Sequence, residues 1–116
     1  QGARLVWGGA CIEGPGYYFE PTVLADVCGE MEVMREESFG PIIGIEKVKD
    51  DQEAVRAMND TRYGLTAAVF TTDEKRAESI LANLEAGSVY WNCCDRVSPN
   101  LPWTGSCSSP SRETTP

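Results

Sequence analysis

Between Ile42 and Asn92 the chain changes its hydrophobic period four times, with only short polar connectors between the changes. Ile42 to Val48 is strand-like. Asp50-Asp51 then cap a helix that runs to about Asn59, with Ala54, Val55 and Met58 on one face. Gly64 ends the next connection, and Leu65 to Phe70 is a continuous apolar run of the kind found in buried strands. Thr72-Asp73 cap a second helix, in which Ala77, Ile80, Leu81 and Leu84 recur at helical spacing, and Gly87 stands where a helix C′ residue is expected. Ser88 to Asn92 is the next strand. Strand, helix, strand, helix, strand with short joints predicts an α/β fold: a partial parallel sheet with βαβ crossovers.

Upstream of that run, Arg4 to Trp7 reads as a short strand before Gly8-Gly9, Gly14-Pro15-Gly16 as a turn, and Tyr17 to Val27 as extended. Gly14 and Gly16 do not make a dinucleotide fingerprint, because the third glycine, the preceding strand and the following helix are missing. Met34-Arg35-Glu36-Glu37-Ser38-Phe39-Gly40-Pro41 leads directly into the first long apolar run. Proline fixes φ and removes a donor, and the glycine before it tolerates backbone shapes other residues resist. The two acids and Phe39 are therefore expected on a shaped turn before a strand, a place where ligand-contacting residues collect. Read from the residues alone, such a cluster is more usually an acidic, solvated turn with one aromatic plugging the core.

At 116 residues the chain is the size of one modest domain. Its net charge of −8 argues against nucleic acid or an anionic membrane as partner, since both need a basic surface. No apolar run approaches the roughly 20 residues that span a bilayer. With no His at all, His-dependent triads and His-containing zinc sites are excluded, and no C-x-x-C pair offers a thiolate site, so no metal is expected. The five cysteines are odd in number and not spaced as a disulfide framework, which points to a reducing, cytoplasmic setting. In that setting the Asn59-Asp60-Thr61 sequon would carry no glycan. From Ser106 onward Cys107 is the sole apolar residue, so residues 106–116 are expected to be a disordered tail.

Four stretches carry a resemblance. Gly16 to Leu24, Glu36 to Pro41, Asn59 to Phe70 and Leu84 to Asn92 closely resemble, in order and spacing, the aldehyde dehydrogenase superfamily. The likeness covers residues from about 4 to 104. It implies NAD(P)-dependent oxidation of an aldehyde to a carboxylic acid through a thiohemiacetal on a catalytic Cys. It further implies that residues 1–105 are a C-terminal part of that family's catalytic domain. The opening on Gln1 instead of Met fits a piece from inside a longer chain.

Carried over by position, Glu37 matches the acid that hydrogen-bonds the ribose hydroxyls on the nicotinamide side of the cofactor, NAD or NADP. Phe39 matches the aromatic that packs against the nicotinamide, and Leu65 a residue lining the same end. Asn92 matches an Asn that supports the catalytic loop. Glu36 reads as a solvated neighbour, while Leu65 and Phe70 equally suit plain core. No catalytic residue is expected here: none of Cys11, Cys28, Cys93, Cys94 and Cys107 stands in the family's Gly-Gln-x-Cys context, and the general-base Glu lies upstream too. Cys93 and Cys94, with Tyr90, Trp91 and Trp103, are expected as pocket wall or core. After Pro102-Trp103-Thr104-Gly105 the chain departs from the family's Ser-Gly-x-Gly segment, so the strand that joins the family's homo-oligomer is expected to be absent.

Overall fold

The computed structural model describes residues 1–93, 99–100 and 104–105. Cys94, Trp103, Cys107 and the expected tail lie outside the described residues. The chain divides into two compact units, Gln1–Val48 and Lys49–Pro116.

The first unit holds β1 (Arg4–Trp7), β2 (Thr22–Ala25), α1 (Glu32–Arg35) and β3 (Ile42–Ile45). Its sheet has the order β1-β2-β3, with β1 antiparallel and β3 parallel to β2. Of the expected extended run from Tyr17 to Val27 only four residues join the sheet. Further out, Phe19 makes an isolated antiparallel bridge to Cys11. Gly14 and Gly16, at φ 140° and 108°, turn the chain between them in a conformation other residues resist. Thr22 shows why a polar residue sits in this core. It is 4% exposed, and its hydroxyl donates to Glu20 O at 2.8 Å while accepting Gly9 N–H at 2.9 Å, so burial leaves no orphan. α1 was not legible in the sequence. It packs on β3, where a Cβ on Gly44 would meet Met34 Sδ at 2.8 Å and Val27 and Val33 at 3.4 and 3.5 Å.

The second unit holds α2 (Asp51–Asn59), β4 (Thr66–Val69), α3 (Glu74–Leu81) and β5 (Ser88–Trp91). Both long helices start as their sequences specify. Asp50 accepts Glu53 N–H at 2.8 Å, and Asp73 accepts Arg76 N–H at 3.0 Å. Glu53 reaches back to accept Lys49 N–H at 2.8 Å, a variant of the reciprocal capping box. β4 and β5 are parallel, with α3 as the crossover between them. α3 buries Ala77 completely and Ile80 almost so.

The α/β architecture with parallel pairs and a βαβ crossover is present, and several details differ from the sequence reading. β3 pairs with β2, and β4 pairs with β5, so the apolar runs do not all line up in one ladder. Periodicity marks which segments are strands; it does not name their partners. The first long apolar run stops pairing at Ile45, short of Val48. α3 ends at Leu81 with Ala82 as its cap, so Leu84 lies beyond the helix and Gly87 is no C′ residue. The smallness of Gly87 answers a different need, because a Cβ there would collide with the backbone carbonyl of Thr104. Phe70, a candidate core residue, is 68% exposed.

Candidate functional site

Glu37 and Phe39 lie in the irregular link between α1 and β3. α1 stops at Arg35, and Glu36 takes an extended conformation as its C-cap while donating its N–H to Glu32 O at 2.8 Å. At the other end, Gly40 N–H is accepted by Ser38 Oγ at 3.2 Å. Pro41 O accepts Thr22 N–H at 2.7 Å, which ties the link to the start of β2. Between these anchors Glu37 and Phe39 are exposed, Phe39 to 95%. An aromatic held out of the core on an anchored link is a surface for something flat and apolar. A carboxylate two residues before it can accept from paired hydroxyls.

The other two candidates belong to the second unit, at opposite ends of the β4–β5 pair. Leu65 immediately precedes β4 and is half-buried, and its carbonyl accepts Ser88 N–H at 3.1 Å. Asn92 immediately follows β5 with φ 50°, a left-handed conformation that Asn tolerates better than most residues. Its backbone N–H donates to Val69 O at 2.8 Å, and its side chain continues the ladder: Oδ1 accepts Thr71 N–H at 2.9 Å, and Nδ2 donates to Thr71 O at 2.8 Å. Trp91 Nε1–H adds a further bond to the same carbonyl at 2.9 Å. The side chain thus replaces the strand partner that the backbone turn removes, and it sets the direction in which the chain leaves the sheet. Cys93 follows, half-buried; Cys11 and Cys28 are exposed, and none of the three is in a disulfide.

Two polar arrangements had no sequence expectation. Asp51 and Arg76, at the starts of α2 and α3, form a two-pronged bridge at 2.8 and 2.5 Å. The hydrogen bonds from Arg76, helped by its charge and opposed by desolvation, hold the Asp51 carboxyl below its ordinary 3.8. The same bonds raise Arg76. The second arrangement is the Asn59 amide, which donates to Asn83 O at 2.8 Å and accepts Glu85 N–H at 3.0 Å. The only advance signal was an Asn at the foot of a helix, which ordinarily reads as a stop.

A family model described as the aldehyde dehydrogenase family matches residues 1–113. The chain belongs to the aldehyde dehydrogenase family. It is 49% identical over 92 residues to succinate semialdehyde dehydrogenase of Escherichia coli K12, covering 79% of this chain and 20% of that one. With the mitochondrial aldehyde dehydrogenase 2 of Saccharomyces cerevisiae it shares 42% over 113 residues, 94% of this chain and 21% of the yeast protein. Among solved structures, the NAD-dependent aldehyde dehydrogenase of Sinorhizobium meliloti superposes with a TM-score of 0.90 at 37% identity, over 93% of this chain and 22% of that one. An indole-3-acetaldehyde dehydrogenase in complex with NAD+ gives 0.88 at 39%, over 92% and 22%. The chain therefore spans about a fifth of the length of these family members. Among the described residues no helix is long and apolar enough to cross a membrane.

Proposed function

We propose that this chain is a C-terminal part of the catalytic domain of an NAD(P)-dependent aldehyde dehydrogenase, supplying cofactor-positioning groups and no nucleophile. The observation that carries this reading is the anchored link that places Glu37 two residues before an almost fully exposed Phe39. These residues fit the nicotinamide end of NAD or NADP. Glu37 is an exposed residue of the right chemistry for the two hydroxyls of a ribose, and Phe39 offers an apolar face for a planar ring. The cofactor, when bound, supplies the acceptor for the hydride leaving the aldehyde. The chain's own contribution is orientation. Glu37 holds the ribose, Phe39 limits the ring's tilt, Leu65 adds apolar wall, and Asn92 supports the catalytic loop. The substrate class is an aldehyde, consistent with relatives named for aldehydes as different as succinate semialdehyde and indole-3-acetaldehyde.

In this reading the catalytic Cys and the general-base Glu come from outside the chain, as does the dinucleotide-binding half. None of its cysteines has the Gly-Gln-x-Cys context, and none of the described three lies at a helix N-terminus that would make a thiolate. The parent enzyme is a homo-oligomer, and its setting is cytoplasmic, although family relatives include mitochondrial and chloroplastic forms. A second reading is a non-catalytic product that binds a full-length relative. Sixteen large apolar side chains are exposed among the described residues, a surface suited to covering.

The test is dehydrogenase activity of the chain with NAD and NADP over a panel of aldehydes, following absorbance of the reduced cofactor. No turnover is expected. Turnover that survives removal of contaminating full-length enzyme would make one of these cysteines a nucleophile and overturn the proposal.

A further inference from the structure

Asn59 closes α2, and its one planar amide uses both of its functions on the connection between α3 and β5. Nδ2 donates to Asn83 O at 2.8 Å while Oδ1 accepts Glu85 N–H at 3.0 Å. Further along, the same two segments meet again through the backbone: Gly87 N–H donates to Gly64 O at 2.9 Å and Ser88 N–H to Leu65 O at 3.1 Å. The loop from Asp60 to Leu65 is thus fastened at both ends to residues 83–88. The far fastening leads directly into the β4–β5 ladder, where Thr66 pairs with Ser88.

We propose that Asn59 is a positioning residue for Leu65. By clasping residues 83–85 it fixes the approach to β5, and with it the register against which the Leu65 carbonyl is held. The proposal rests on the reading of Leu65 as part of the cofactor wall. The chemistry explains the residue type. Asp would keep the acceptor for Glu85 N–H but set a carboxylate against the Asn83 carbonyl, and Ala would lose both bonds. The clasp also gives the Asn59-Asp60-Thr61 sequon a structural use, because its amide nitrogen is already committed as a donor.

Amide exchange followed by NMR on the full chain tests this, with Asn59→Ala and Asn59→Asp as variants. The Asn92 amide, bonded to Val69 O at the other end of the ladder, serves as internal reference. In Asn59→Ala the Glu85 amide is expected to exchange about tenfold faster, the scale of one lost hydrogen bond. Ser88 is expected to follow by a smaller factor and Asn92 not to change. In Asn59→Asp, Glu85 is expected to keep its protection while Ser88 loses part of its own. Unchanged Ser88 exchange in both variants, or an equal rise at Ser88 and Asn92, would overturn the proposal. If Asn59→Ala fails to fold, Asn59→Asp decides alone: Glu85 protection lost with Asn92 unchanged refutes the clasp. NAD titration of an aldehyde dehydrogenase carrying this segment, read on the Leu65 methyl resonances, tests the underlying reading separately. No shift at Leu65 in the unmodified enzyme on saturation would remove the cofactor role and leave the exchange data to judge the clasp. A shift whose midpoint moves to about tenfold higher NAD in Asn59→Ala is the expected result.

Discussion

Replacing Asn92 separates the two things its side chain and backbone do. Its φ of 50° costs an ordinary L-residue roughly 1–2 kcal/mol. Its amide makes two bonds to Thr71, but these are not equally missed. Thr71 O keeps the Trp91 indole N–H as donor at 2.9 Å, whereas Thr71 N–H loses its partner and must turn to water. At an exposed site the two together are worth about 1 kcal/mol, the low end for such bonds. Asn92→Ala carries both penalties and is expected to destabilise by about 2.5 kcal/mol. Asn92→Gly loses the amide but takes the left-handed conformation without strain. After its extra unfolded-state freedom is counted, it is expected to cost about 1 kcal/mol less than Ala. Urea denaturation followed by tryptophan fluorescence checks this. With a slope of about 2 kcal/mol per molar, the Ala variant's midpoint should fall by about 1.2 M and the Gly variant's by about 0.7 M. A glycine variant no more stable than the alanine variant would refute the claim that the left-handed turn is a strained element held by this residue.

The remaining predictions concern other parts of the chain. In an aldehyde dehydrogenase carrying this segment, Glu37→Gln is expected to slow hydride transfer and weaken cofactor positioning while leaving the order of preferred aldehydes unchanged. Single-turnover kinetics matching the unmodified enzyme would rule Glu37 out. Because the folded-state value of Asp51 lies below its ordinary 3.8, the bridge to Arg76 stabilises fully above that value and is lost as pH falls through the lowered one. Denaturation midpoints between pH 6 and about pH 3 should therefore fall less steeply in Asp51→Asn, and 0.5 M salt should narrow the difference. Gly44→Ala is expected to destabilise the first unit by about 1–2 kcal/mol, the thioether of Met34 yielding more readily than Val27 and Val33. A midpoint unchanged within error would show that α1 can shift outward without loss.

What the sequence disclosed follows from how local each signal is. Asp50 and Asp73 announced their helices because a cap needs only a side chain three residues from an amide. The crossover from β4 through α3 to β5 was legible from the change of period, and the link bearing Glu37 and Phe39 from its Gly-Pro end. The pairing of β3 with β2 was not, because it depends on a strand many residues upstream. α1 is a single turn without a side-chain cap, too short to show a period. The Asn59 clasp and the Asn92 latch each use an amide on a partner at least twenty residues away, a geometry that no spacing rule encodes.

The balance of covered and bare apolar groups has a calorimetric consequence. Among the described residues the apolar side chains classed as buried are Val27, Met31, Ala77 and Ile80, while Trp7, Tyr17, Ile43 and Phe70 are among those left in water. Heat capacity rises on unfolding because apolar surface becomes hydrated, ordinarily by about 12–15 cal/mol/K per residue. A chain that has hydrated so much of this surface while folded has less left to expose. Its melting endotherm should be broad, its heat-capacity step well below that of a compact domain of equal length, and its stability curve flat with temperature. Whatever covers that surface should restore both the step and the curvature.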